Sequence, residues 1–282
     1  ALSLIILLSL INFIGIRLSM TLTWISTVVE FIGLIVIIIL GIKYFGSTNL
    51  LAFEKGFDGI LRATALVFFA YMGFESIVKL AEETKEPNKT IPRALILSII
   101  ITTIIYILVA VSAVSVLSYE KLSVSKAPLA EVASVSLGNI AFLALAIIAL
   151  FSTMNTVLLS LVTSSRLTYG LAEEKAIPKK FGEVNQKTKT PWLAIIIIGI
   201  LSLVFIFFKN ITILASLTNI SVFLTFAFVN GSLLVLRYRV DPKNVKYKIK
   251  FLNIGKFSVI SLLGLLTSLL MLVYSVINIA SA

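Results

Sequence analysis

Two carboxylates stand where carboxylates are costly. Of the 13 acidic residues, only Glu30 and Glu75 fall inside long apolar runs, Glu30 in STVVEFIGLIV and Glu75 in VFFAYMGFESIV. An ionised side chain in hydrocarbon is expensive, so such a group is expected to face a bundle interior and to mark an ion or substrate path. The alternative is a protonated or hydrogen-bonded carboxyl that only ties helices together. Two residues before Glu75 stands Gly73, flanked by aromatic residues. Glycine weakens a helix and lets the backbone leave it. A span broken near the midplane frees carbonyls and N–H groups for a ligand, and carbonyls closing a half-helix suit an ammonium. A close-packing glycine in an unbroken helix is the competing reading. A third group is Ser152, Asn155 and Thr156, spaced i, i+3, i+4 and therefore on one helical face. Such a stripe lines a cation or substrate site, or supplies interhelical hydrogen bonds. Ser216, Asn219 and Thr225 form a weaker stripe of the same kind.

Other chemistries are excluded by residue type. The chain has neither cysteine nor histidine, which removes disulfides, thiolate zinc sites, cysteine nucleophiles, histidine-based triads and histidine-ligated haem. No G-x-x-x-x-G-K-[ST] loop is encoded, so ATP-driven pumping is not expected. No metal-ligand spacing and no cofactor motif appear. The two acids in apolar runs lie on different spans with no nucleophile–base pair, so no enzyme is expected.

The elements that must position these groups are membrane helices. The sequence is 59% hydrophobic and only 13% charged, whereas a soluble domain carries about 25% charged residues. A soluble fold of this size cannot hide so much apolar surface. A bilayer core of ~30 Å takes ~20 apolar residues as a helix, and that measure picks out eight spans: about 1–16, 22–43, 60–80, 93–117, 139–165, 191–208, 211–236 and 257–280. Long Leu- and Ile-rich runs lack the alternation of barrel strands. The expected fold is an all-α integral membrane bundle forming one transmembrane domain over residues 1–282.

Charge placement orients the bundle. With eight spans, alternate connections share a side, and 18 of the 24 Lys and Arg fall on one of them. The rule that basic loops stay inside makes that side cytoplasmic, with loops 79–93, 166–190 and 237–256. The net charge of +11 thus reflects topology rather than a nucleic-acid partner. Segment 237–256 is expected to meet anionic headgroups of membrane lipids. A tight external turn is expected at Lys209-Asn210. Ala1 opens directly into ALSLIILLSLINFIGI without Met or a basic leader, so the chain is expected to be the middle of a longer protein.

Three segments carry a resemblance to a known family. FFAYMGFESIVKLAEETKEPNKTIPRAL, with its aromatic stretch Phe68 to Glu75 and the run Glu82, Glu83, Pro87, Pro92, resembles the sixth span and following cytoplasmic loop of the amino acid–polyamine–organocation superfamily. RLTYGLAEEKAIPKKFGEVNQKTKTPW, with Arg166, Pro178, Thr190, Pro191 and Trp192, is similar to the loop after the family's eighth span. INFIGIRLS resembles the family's N-x-x-G turn.

The resemblance implies an inverted-repeat transporter fold with these eight spans standing as the family's spans four to eleven. The first three family spans, one of which holds the substrate carboxylate, would then lie outside this chain, and the chain would not transport alone. The resemblance further implies secondary transport of amino acids, by proton- or cation-coupled symport or by exchange, in the cell membrane. Carbonyls of Phe69, Ala70 and Met72 would take the α-amino group, Gly73 would allow the break, and Phe69 or Phe74 would gate. Glu75 would correspond to a carboxylate used in proton coupling, and Ser152 and Asn155 would lie near a cation-like site. Where many proton-coupled members carry a lysine in the fifth span, Glu30 stands here. A carboxylate cannot replace an ammonium; it attracts a cation or carries a proton itself. A passive channel and a non-transporting substrate-binding subunit are the alternatives, and saturable uptake with counterflow separates them from a transporter.

Overall fold

The computed structural model describes residues 2–50, 56–74, 76–79, 84–207, 210–240, 253–254 and 257–280. The elements are α1 (Leu2–Ile14), α2 (Ile16–Ile42), α3 (Gly56–Val67), α4 (Ser76–Lys79), α5 (Pro87–Val116), α6 (Tyr119–Val124), α7 (Pro128–Leu137), α8 (Asn139–Glu173), α9 (Trp192–Phe205), α10 (Ile211–Arg239) and α11 (Val259–Ala280). Two 3-10 turns, Phe68–Tyr71 and Lys179–Gly182, and a two-residue antiparallel bridge pairing Asn253 with Ser258 complete the list.

Five of the described helices are long and apolar enough to cross a membrane: α2, α5, α8, α10 and α11. They coincide with five of the eight expected spans. The other three differ in form. The first ends at Gly15, whose φ of 153° breaks the run before α2, leaving 13 residues in α1. The sixth is a 14-residue helix, α9. The third is not one helix at all, but α3, a 3-10 turn and α4. Lys209 lies outside the described residues. Asn210 caps α10, its side-chain oxygen accepting from the Ile213 N–H at 3.2 Å, which satisfies one orphan donor of the first turn.

The chain divides into two compact units, Ala1–Leu51 with Ile101–Phe207, and Ala52–Ile100 with Phe208–Ala282. In the first unit, α2 packs along α8, and α1 packs on α8 and α9. Its core is a cluster around Ile37, Val132, Ala133 and Leu145, and a second around Leu8, Leu158 and Val162. Lipid tails are as apolar as these side chains, so helices associate here through close packing and interhelical hydrogen bonds. The unit shows both. Gly41 lies against Ser112, and Gly33 against Ile148. Asn12, buried, donates to Ser165 Oγ at 3.3 Å, and Thr190 Oγ1 donates to the Phe13 carbonyl at 3.0 Å.

In the second unit, α10 and α11 form the most extensive helix pair, and α3 packs on both. Gly264 brings α11 close to Asn230. Asn278 of α11 donates to the Arg62 carbonyl at 3.1 Å, fixing α3 along its length.

Candidate functional site

The polar stripe of α8 meets α2 in the first unit. Ser152 Oγ donates to Glu30 Oε1 at 2.8 Å, and Asn155 Nδ2 donates to Thr27 Oγ1 at 3.0 Å. Advancing along α8 from 152 to 155 means retreating along α2 from 30 to 27, so the two helices run antiparallel. Thr27 in turn donates to the Thr23 carbonyl at 2.8 Å, one turn back along α2. Thr156 does not join this group: it is exposed, and its hydroxyl donates to the Ser152 carbonyl of its own helix. The result is two paired contacts about one helical turn apart, Glu30 with Ser152 and Thr27 with Asn155. Among the described residues, Asn155 Oδ1 and Thr23 Oγ1 are buried and accept no hydrogen bond. Such acceptors cost free energy unless something pairs with them. Hard cations and protons are the natural partners of a carboxylate flanked by neutral oxygens.

The second cluster is the interruption of the third span. After α3 the chain tightens into the 3-10 turn Phe68–Tyr71. Met72 is then extended, at φ −62° and ψ 145°. Gly73 follows at φ 118°, a conformation that only glycine adopts without strain. The helix resumes at Ser76. The Phe69 carbonyl accepts from the Met72 N–H at 3.3 Å, and the Phe74 carbonyl from the Ile77 N–H at 3.2 Å. A Cβ built at Gly73 would meet nothing within 4 Å, so the glycine answers a backbone need and not a packing need. Ala70 lies exposed in the 3-10 turn. Glu75 lies outside the described residues.

Helix α10 holds this interruption in place. Asn219 is fully buried, and its Nδ2 donates to the Ala65 carbonyl at 2.7 Å and the Leu66 carbonyl at 3.5 Å. These carbonyls close α3, where a helix leaves acceptors unsatisfied. Both partners are acceptors, which fixes the amide orientation. Aromatic packing does the rest. Phe68 stacks on Phe223 with centroids 4.6 Å apart and meets Phe226 edge-on at 6.1 Å. Phe74 packs on the same Phe226 at 5.8 Å. Phe226 therefore touches one aromatic ring on each side of the break, each contact worth ~0.5–1.5 kcal/mol. Phe69 is 44% exposed and makes no part of this stack.

In the sequence Asn219 stands only in a weaker stripe with Ser216 and Thr225. In the structure Ser216 and Asn219 are buried, whereas Thr225 is exposed and bonds back to the Ser221 carbonyl of its own helix. Phe223, Phe226, Thr23 and Thr27 carried no signal in the sequence beyond belonging to apolar spans. Of the residues singled out there, the fold joins Glu30 with Ser152 and brings Asn155 to the neighbouring turn. Phe69, Ala70, Met72, Gly73 and Phe74 form the separate cluster of the second unit.

Comparison with known proteins gives the family. A sequence profile described as amino acid permease matches residues 1–282. Cationic amino acid transporter 5 of Arabidopsis thaliana is 34% identical over 254 residues, covering 89% of this chain and 44% of that protein. Cationic amino acid transporter 1 of the same plant is 30% identical over 228 residues, 80% of this chain and 38% of the relative. An uncharacterized transporter of Mycobacterium tuberculosis is 28% identical over 242 residues, 84% of this chain and 54% of the relative. The chain thus spans about half or less of the length of these relatives. A profile that runs from the first residue to the last, over a chain of long apolar helices with one span interrupted at Gly73, leads to one conclusion: this is an all-helical, multi-pass membrane protein that belongs to the amino acid permease family.

Proposed function

We propose that the chain forms one transmembrane domain of a secondary amino acid transporter of the cell membrane, and that its substrate ammonium binds at the interruption of the third span. The observation that carries this reading is the backbone at 68–73. An extended Met72 and a left-handed Gly73 follow a 3-10 turn and interrupt the helix within an apolar span. Backbone of this kind persists within a membrane only where protein or a cavity surrounds it. Carbonyls of Phe69, Ala70 and Met72 then present negative dipole ends to the α-amino group, and the exposed Phe69 ring is the better placed of the two aromatic gates. The names of two relatives put arginine and lysine first among substrates to try. Counterflow in proteoliposomes holding the natural full-length protein tests the reading: accumulation of labelled arginine or lysine against unlabelled amino acid is expected. Flux that neither saturates nor shows counterflow would identify a passive pore instead, and ligand-induced stabilisation without flux would identify a binding subunit.

The cluster on α2 and α8 supplies the coupling step. Glu30 takes up a proton or a cation, and Ser152 Oγ, at 2.8 Å, reports the exchange by releasing or regaining its acceptor. Replacing the carboxylate by an amide leaves the size unchanged and removes the charge. Glu30→Gln is therefore expected to flatten the pH dependence of uptake, with Ser152→Ala having a smaller effect in the same direction, of about one lost hydrogen bond to a charged group, ~1.5–3 kcal/mol. An unaltered pH profile in Glu30→Gln removes Glu30 from the coupling mechanism.

The orientation follows from the basic loops. These 282 residues contain no cysteine, so a cysteine introduced among them is the only thiol of this segment. Thr188→Cys, in loop 166–190, is expected to react with a membrane-impermeant maleimide only after cells are opened. Ser47→Cys, after α2, is expected to react in intact cells. The reverse pattern would invert the topology.

A further inference from the structure

Helices α1 and α9 leave an apolar groove between them that the transport reading does not use. Its cavity, about 410 Å³, is lined by one stripe of each helix, including Ile6, Leu10 and Phe13 from α1 and Ile196, Gly199 and Leu203 from α9. Ile6, Leu10 and Ile196 are 44%, 56% and 44% exposed, so the groove is open to lipid along its side. Gly199 keeps its floor low: a Cβ there would come within 3.0 Å of Ser9 Oγ.

A second cavity, about 470 Å³, sits at one end of this groove and is lined by Phe13, Asn185, Gln186, Lys187 and Trp192. Phe13 borders both, so the apolar groove runs directly into a polar mouth. The mouth is firmly built. Asn185 Oδ1 accepts from the Lys187 N–H at 2.9 Å and the Thr188 N–H at 3.3 Å, and the Asn185 N–H donates to the Thr190 carbonyl at 2.9 Å. Thr190 is tied to α1 through the Phe13 carbonyl. The surrounding segment 179–189 carries Lys179, Lys180, Lys187 and Lys189 against a single acid, Glu183.

Length and polarity together identify the occupant. From Trp192 in the mouth to Leu203 in the groove, at 1.5 Å per residue, the two cavities together run about 16 Å along α9, close to half of the ~30 Å hydrocarbon core. Groove and mouth together therefore match the depth of one leaflet. Tryptophan is enriched at the membrane–water interface, and Trp192 marks that level between the apolar groove and the lysine. An acyl chain fits the groove, and an anionic headgroup fits the mouth.

We propose that α1, α9 and the turn 185–190 form a binding site for an anionic phospholipid, with one acyl chain along the groove and the headgroup phosphate against Lys187. A free phosphate has no use for an apolar groove continuous with the mouth, whereas a lipid fills both. The site is separate from the Glu30 and Gly73 clusters and does not depend on what is transported.

The two tryptophans of the chain, Trp24 and Trp192, provide the test. Trp24→Phe leaves Trp192 as the one tryptophan of these 282 residues, and Trp24 is 69% exposed, so this exchange disturbs little packing. The variant is placed in phosphatidylcholine vesicles containing a minor fraction of lipid with brominated acyl chains, either phosphatidylglycerol or phosphatidylcholine. Brominated phosphatidylglycerol is expected to quench Trp192 at about fivefold lower mole fraction than brominated phosphatidylcholine, the ratio for ~1 kcal/mol at a juxtamembrane lysine. Adding Lys187→Gln, at an exposed position, is expected to bring that ratio close to one without loss of folded protein. The preference is expected to survive millimolar inorganic phosphate. Equal quenching by both lipids overturns the site, as does a preference that persists in Lys187→Gln. A preference abolished by free phosphate assigns the mouth to a soluble anion and overturns it too. No quenching by either lipid means that another protein segment or a second copy fills the groove, and the proposal falls.

Discussion

Replacing Gly41 with leucine is expected to cost the protein a large part of its stability, about 2–3 kcal/mol, the upper range for overpacking a well-filled site. A Cβ at this position would lie 2.6 Å from Ser112 Oγ and 2.7 Å from Ser112 Cα. A hydroxyl can rotate away, but a backbone Cα cannot, so α2 and α5 must separate. The separation would open the adjoining cluster of Ile37, Ala113 and Val132, adding lost contacts to the strain. Unfolding of the purified protein in mixed detergent micelles, titrated with dodecyl sulfate, gives the measurement. Gly170→Ala is the control. That glycine is also helical, yet nothing lies within 4 Å of its would-be Cβ, and alanine is the better helix former by ~1 kcal/mol. Gly170→Ala should therefore be neutral or stabilising. A Gly41→Leu protein within ~0.5 kcal/mol of the natural one, the spread of ordinary surface changes, would contradict the close approach of α2 to α5.

The second large effect is expected on transport rather than on folding. Gly73 has room for a side chain but sits at φ 118°. A β-branched residue there costs of order 1–3 kcal/mol in backbone strain, and the chain relieves it by turning Gly73 back to negative φ. That rotation redirects the carbonyls of the preceding residues, Met72 first. Gly73→Val is expected to lower uptake by more than tenfold, since each tenfold corresponds to ~1.4 kcal/mol of lost stabilisation. Gly56→Val serves as the matched comparison. Gly56 also has positive φ, 60°, and open space around it, but it lies at the start of α3, away from the break. The two variants should lose similar stability, and only Gly73→Val should lose transport. Equal loss of uptake in both would mean that the strain acts through folding alone.

The interruption itself rests on tertiary support. Asn219 satisfies the carbonyls at the end of α3, and Phe226 packs against rings on both sides of the break. Removing the amide leaves the buried Ala65 carbonyl short of its donor, a cost of ~1–3 kcal/mol. These supports come from a helix more than 140 residues further along the chain, and no local pattern in the third span points to them.

Much of the architecture follows from the sequence alone. Composition and span length require a helical membrane bundle, because lipid forces every backbone group to be satisfied internally. Glycine among aromatic residues at 68–74 offers a place where one span could give up its helix, which the backbone at Met72 and Gly73 then decides, and the i, i+3 spacing of Ser152 and Asn155 puts them on one face. The sequence could not say which face of any span meets protein. In a soluble protein the apolar stripe gives that answer, but a membrane helix is apolar all round, and its periodicity carries little information about neighbours. Only packing decided that Ser152 meets Glu30 while Thr156 faces outward, that Asn219 reaches α3 while Thr225 does not, and that α1 and α9 leave an apolar groove between them. Interhelical contact in lipid is set by close approach at small residues such as Gly41 and Gly33 and by paired polar groups, and both are properties of two helices together.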